Sequence, residues 1–222
     1  MLRRFTILAL ALCIPTLAAA QSTRRSYGPA PQGLTLSAWG GLGLPTGRFA
    51  DDGGSVGDVV GVSVPIGVGA YYRFNPHFRL GGLFELAPLS VDDSACPDGS
   101  DCSGTSFRMG FDAQYHFAPF RRVDPWLGLG IGYEWTTLTA STYDYWDDTR
   151  YYSDTKFRGW LFPRITGGLD FAVAPRFTVG PYFSYSAGQY DYVDYGSHDS
   201  GEISNKAFHG WFEIGVRGNF NL

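Results

Sequence analysis

The feature that most limits the fold of this chain is a strict alternation of apolar with polar or glycine residues, repeated along eight segments. The last segment is the clearest. Phe212, Ile214, Val216, Phe220 and Leu222 take one parity; Glu213, Gly215, Arg217, Asn219 and Asn221 take the other. Phe107, Met109, Phe111, Ala113, Tyr115 and Phe117 alternate in the same way with Arg108, Gly110, Asp112, Gln114 and His116. Successive side chains of a β-strand point to opposite faces, so each segment carries one greasy and one ionic face. The same reading gives strands over about 34–44, 59–74, 78–89, 105–117, 126–138, 156–173, 176–189 and 206–222. Composition agrees: with 30 glycines in 222 residues and 17% aromatics, long helices are disfavoured and strands favoured. A 44% hydrophobic content and a net charge of -4 exclude a disordered tail and a basic nucleic-acid binder.

Connections after the second, fourth and sixth strands are short, and those after the first, third, fifth and seventh are long, acidic and rich in Gly or Tyr. Short turns on one rim and long loops on the other characterise outer-membrane barrels. A soluble lipocalin-like barrel has the same strand count but an inverted orientation, with the apolar parity inside. Three features favour the membrane. The polar parity is glycine-rich (Gly41, Gly43, Gly67, Gly69, Gly128, Gly130, Gly132), as suits a narrow lumen. Aromatics of the greasy parity cluster at strand ends, with Phe84, Phe107, Tyr133, Trp135, Phe157 and Phe183 in the upper band, and the alternation runs to Leu222. The expected fold is an all-β, eight-stranded antiparallel up-and-down transmembrane β-barrel over 34–222.

Met1 to Ala20 has a basic start (Arg3, Arg4), an apolar stretch and Ala18-Ala19-Ala20, the layout of a cleaved signal peptide. A periplasmic segment over 21–33 would follow. Cys96 and Cys102, in a polar loop without further metal ligands nearby, are expected to form a disulfide in the oxidising compartment beyond the inner membrane.

Pro125-Trp126-Leu127-Gly128-Leu129-Gly130-Ile131-Gly132-Tyr133 and Gly40-Gly41-Leu42-Gly43-Leu44-Pro45-Thr46-Gly47-Arg48-Phe49 resemble glycine-rich strands of the outer-membrane protein β-barrel superfamily, which includes the OmpA- and OmpX-type eight-stranded barrels. The resemblance implies residence in the cell outer membrane of a Gram-negative bacterium. It also implies that the outer-membrane assembly machinery reads the terminal strand, here ending on Leu222 with Phe220 two residues earlier.

Fifteen of the 21 acids fall in the four long loops, and five more have lumen parity: Glu85, Asp112, Glu134, Asp170 and Glu213. Six arginines share that parity: Arg73, Arg79, Arg108, Arg158, Arg164 and Arg217. Glu85, Arg108, Asp112, Glu134, Arg164, Glu213 and Arg217 fall at similar heights. They predict either an ion-pair core that closes the lumen or a narrow gated pore, porin-like, for small solutes or hydrophobic molecules. Pro65, Pro88, Pro163 and Pro181 interrupt the pattern, marking the outer rim or opening the wall.

For recognition, Tyr143, Tyr145, Trp146 and Tyr151 in the third external loop and Tyr190, Tyr192 and Tyr195 in the fourth are candidates for adhesion or ligand capture; alternatively they extend the aromatic girdle into the lipopolysaccharide layer. His209 with Glu213 and His198-Asp199-Ser200 are the only approaches to a hydrolase site, and neither forms a catalytic set. The expectation is a non-enzymatic, monomeric membrane protein without cofactor or bound metal, with outer-membrane lipids and lipopolysaccharide as partners and no nucleic acid.

Overall fold

A computed structural model describes residues 32–51, 54–97, 99–144, 148–196 and 200–222. The expected signal peptide, nearly all of segment 21–33, Tyr145, Trp146, His198 and Asp199 lie outside the described residues. The strands are β1 (Gly33–Gly47), β2 (Val60–Ser63), β3 (Ile66–Arg73), β4 (Phe78–Val91), β5 (Ser100–His116), β6 (Val123–Asp144), β7 (Thr149–Ala174), β8 (Phe177–Asp194), β9 (Ser200–Glu202) and β10 (Phe208–Asn221), with a short α-helix, α1 (Val56–Val59), and a 3-10 turn over Asp93–Ala95. Each strand pairs antiparallel with its neighbour, β2 and β3 together form one wall position, and β9 only extends β8 at its outer end, so the ring has eight positions. β1 closes it against β10, from Thr35 opposite Asn221 to Gly47 opposite His209. A closed ring satisfies every ladder donor and acceptor without water, which hydrocarbon demands.

Burial decides which parity faces in. Phe111 (66% exposed), Leu129 (54%), Ile214 (53%) and Val216 (57%) point outward, whereas Arg108 (4%), Glu134 (0%) and Glu213 (1%) are buried. Placing apolar side chains outside and charges inside is stable only in lipid.

The wall is continuous at the prolines of the second and third positions. Where Pro65 separates β2 from β3, the Val64 amide donates to the Pro88 carbonyl at 3.0 Å and the Gly41 amide donates to the Pro65 carbonyl at 3.1 Å. β4 pairs with β5 past Pro88, as far as Leu89 opposite Gly104.

Two features depart from the simple alternation. β6 runs to Asp144 and β7 starts at Thr149, so the expected long loop between 138 and 156 is mostly strand. Its threonines, including Thr139 and Thr142, favour extended backbone even where the apolar alternation has stopped. At about 3.3 Å per residue and a tilt near 40°, the 22 residues of β6 span about 55 Å along the axis, roughly twice the ~25 Å apolar band. β7 also contains an irregularity between Leu161 and Arg164. Below it the even residues Arg164, Thr166 and Asp170 are buried; above it the odd residues Gly159 and Leu161 are buried while Trp160 and Phe162 are exposed. One extra residue in a strand exchanges its faces. Arg158, expected in the lumen, therefore stands outside it, its guanidinium 4.3 Å from the ring centre of Tyr192. Phe157, expected in the lipid girdle, instead packs inward on Phe49 and Tyr190.

Candidate functional site

Removing Arg158 from the lumen leaves five buried carboxylates, Glu85, Asp112, Glu134, Asp170 and Glu213, against five buried guanidiniums, Arg73, Arg79, Arg108, Arg164 and Arg217. The residues expected to form one cluster separate into two levels. In the upper level Arg108 is the hub. Its Nη1 donates to Glu85 Oε1 at 2.7 Å and bonds Glu213, and its Nε lies 3.5 Å from Glu134. Glu134 is further held by Ser106 (2.7 Å), Thr136 (2.9 Å) and His209 Nε2 (3.0 Å). His209 therefore reaches across the lumen to Glu134, and its ring lies flat on Tyr190, with centres 3.7 Å apart. Arg164 lies 3.5 Å from Glu85 and 4.0 Å from Asp112.

Arg217 belongs to the lower level. It donates to both oxygens of Asp170 at 3.0 Å and to Gln114 Oε1 at 3.0 Å, and its guanidinium lies 3.5 Å from the centre of the Trp126 ring. Arg79 shares Gln114 Oε1 (2.9 Å) and Asp170 (3.4 Å), and Asn219 donates to Asp170 at 3.1 Å. The Gln114 amide donates to Asp112 at 2.9 Å, joining the two levels. Gln114, Asn219 and the lumen aromatics Trp39, Trp126 and Trp211 were not singled out as partners from sequence. Their lumen parity was legible; which charge each would touch was not. A cavity of about 20 Å³ remains between the levels, lined by residues such as Asp112, Arg164, Tyr182 and Arg217. That is room for about one water molecule.

Glycine is required where aromatics cross this crowded space. A Cβ on Gly67 would sit 2.2 Å from the Trp39 ring, whose Nε1 donates to Glu85 Oε2 at 2.8 Å.

The outer mouth is closed by a different chemistry. Val56 in α1 and Val60 in β2 are buried against Ala87, Leu89 and Trp211, with Phe49, Val59 and Leu138 packed around them. The first external connection thus folds over the lumen as an apolar cap. Trp211 joins cap to core, lying under the valines with the Arg108 guanidinium 4.6 Å from its ring centre. Sequence reasoning missed this cap; Val56 in an acidic, glycine-rich connection, just ahead of Val59 and Val60 at the expected start of the second strand, was the available signal.

Of the proposed recognition side chains, Tyr143, Tyr151 and Tyr195 are exposed, and the Tyr143 hydroxyl donates to Asp148. Tyr192 is half-buried beside Arg158. Tyr190 is a correction: it is fully buried in the lumen, because β8 continues to Asp194 and keeps even residues inside as far as Tyr190.

Cys96, in the connection from β4 to β5, forms a disulfide with Cys102 near the start of β5. Replacing both with serine is expected to remove about 2 kcal/mol of local ordering. Limited proteolysis should then cut that connection faster while the barrel keeps its heat-dependent gel mobility; loss of that mobility shift would tie the bond to the barrel itself.

An edge-free ring with apolar side chains outside and paired charges inside defines an outer-membrane β-barrel. The chain belongs to the outer membrane protein beta-barrel domain family, which matches residues 6–220. No curated protein sequence matches it. Among solved structures it is similar to OprG from Pseudomonas aeruginosa, at 15% identity over 87% of this chain and 99% of that one, with a TM-score of 0.50. It is also similar to Ail, the attachment invasion locus protein of Yersinia pestis, at 13% identity over 86% and 100% with a TM-score of 0.45. A third is the outer membrane protease OmpT from Escherichia coli, at 10% identity over 86% and 97% with a TM-score of 0.45. At these identities the likeness is one of fold.

Proposed function

We propose that this protein is a closed-lumen barrel with a structural role in the outer membrane, carrying an external wall used for recognition. The observation that carries the reading is the lumen itself: a balanced set of carboxylates and guanidiniums on two levels, under an apolar cap, with a cavity between the levels that has room for about one water. A conducting path would have to separate buried ion pairs, and breaking one costs about 3–5 kcal/mol. The wall formed by the outer ends of β5 to β8 supports the second part. It displays Tyr143, Tyr151 and Tyr195 among acids, the mixture of aromatic and small polar groups that makes adaptable contact surfaces. Export through the N-terminal 1–20 signal, monomeric assembly by the outer-membrane machinery and contact with lipopolysaccharide belong to the same proposal. So does the absence of enzymatic activity, since the lumen histidines His116 and His209 are buried and pair with carboxylates.

Planar-bilayer recording tests the closed lumen. Purified, refolded protein is expected to give no discrete open levels; reproducible single-channel openings would favour the narrow-channel alternative.

A further inference from the structure

Five of the side chains lining the cavity between the two lumen levels carry a buried polar atom without a hydrogen-bond partner among the described residues: Asp112 Oδ1, Trp126 Nε1, Thr166 Oγ1, Tyr182 Oη and Arg217 Nε. All five residues are at most 6% exposed. The direct network engages the other ends of the same groups. Asp112 Oδ2 accepts from the Gln114 amide at 2.9 Å, and the Arg217 Nη atoms donate to Gln114 and Asp170. The remaining atoms belong to both levels, since Asp112 lies beside Arg164 above and Arg217 beside Asp170 below. Asp112 Oδ1 and Arg217 Nε are on residues lining one cavity, yet they do not bond each other. A buried donor or acceptor left unpaired is costly, and polar groups beyond direct reach are commonly joined by a water. The cavity, about 20 Å³, has room for about one.

We propose that this cavity is the binding site of one resident water that ties the two levels of the lumen together. Trp126 Nε1 and Arg217 Nε can only donate, the Asp112 carboxylate only accepts, and the hydroxyls of Thr166 and Tyr182 do either. A ligand that suits this set must accept twice and donate at least once, and water does so with four bonds in the smallest space. It accepts from Arg217 and Trp126, and donates to Asp112 and to one of the two hydroxyl oxygens. The donors alone would suit a halide ion, but a halide has no proton for Asp112. The five buried carboxylates and five buried guanidiniums of the lumen already balance, so a further charge there has no counterpart. A conducting lumen would exchange its water freely, so the inference rests on the closed-lumen reading.

Water-selective NOE and ROE spectra of the refolded barrel in detergent micelles, read at the Trp126 indole proton, test it; Trp126→Phe assigns that resonance. The indole proton is expected to show a water contact with NOE and ROE of opposite sign, the mark of a water held far longer than those on a surface. The double variant Thr166→Val with Tyr182→Phe should keep the contact, because the water retains three partners. Its loss there would trace the signal to hydroxyl protons exchanging with solvent and overturn the proposal. Thr166→Ile brings in an extra methyl group about the size of a water. It should abolish the contact while the unheated protein keeps its mobility on a denaturing gel. No contact in the parent protein, a contact that survives Thr166→Ile, or a shift of the indole resonance when chloride replaces sulfate in the buffer also overturns it. Bilayer recording separates the two readings: a missing contact in a barrel without openings fails the water alone, and openings with the contact retained fail the closed lumen alone.

Discussion

Arg108→Met is expected to lower the stability of the folded barrel by about 3–5 kcal/mol, the usual cost of stranding a buried charge. Methionine fills much of the arginine's space, so the loss is one of charge pairing more than of packing. The three carboxylates at the hub do not suffer equally. Glu85 keeps Arg164 and the Trp39 indole, and Glu134 keeps His209, Ser106 and Thr136. Glu213 keeps no ion pair within 4.0 Å among the described residues. The double variant Arg108→Met with Glu213→Gln is therefore expected to recover more than half of the loss, because it removes the charge left uncompensated. Urea unfolding of protein refolded into vesicles reads both. A single-variant change below about 1 kcal/mol would place these pairs with exposed ones and argue for a hydrated lumen.

Gly67→Ala is expected to be as damaging, for a steric reason. The new methyl would lie 2.2 Å from the Trp39 ring, so the indole must move and its bond to Glu85 must break. Overpacking costs about 1–3 kcal/mol, and a buried acceptor left short of a donor costs a similar amount. Together they predict a loss of about 2–5 kcal/mol. Trp39→Leu makes room, so in a double-mutant cycle the pair should be less destabilised than the sum of the single changes by about 2 kcal/mol. Additivity within about 0.5 kcal/mol would show that the two sites do not meet. Gly82→Ala serves as control: its Cβ would meet nothing nearer than the Phe111 ring at 3.5 Å, on the lipid face.

Both predictions rest on contacts that the sequence reaches only part of the way. Parity places Arg108, Glu134 and Glu213 on the inner face because a strand exposes alternate residues to opposite sides. It does not say that Arg217 turns to Asp170, or that Trp39 crosses to Gly67. Those choices depend on how eight neighbouring faces interleave in one crowded lumen. The expected membrane orientation rested on glycine content and aromatic bands; exposure of Phe111 and Ile214 beside burial of Glu213 expresses it directly. Tyr190 shows the other limit. The apolar alternation ends near Gln189, which places Tyr190 in the external loop by sequence, yet it continues the lumen parity and stacks on His209.

What the sequence by itself determined is the class: eight alternating segments, short and long connections in turn, charges on one face and apolar side chains on the other. These are local properties, carried by the period-two geometry of extended backbone. Only the tertiary structure decided the charge balance of the lumen and the closure of its mouth. A single irregularity between Leu161 and Arg164 sends Arg158 out and Phe157 in, and the cap of Val56 and Val60 forms only because Trp211 of β10 and Ala87 and Leu89 of β4 converge on it. A bulge carries no compositional signature strong enough to read in one strand, and a cap is a contact between residues far apart in the chain, so neither can be seen until the ring closes.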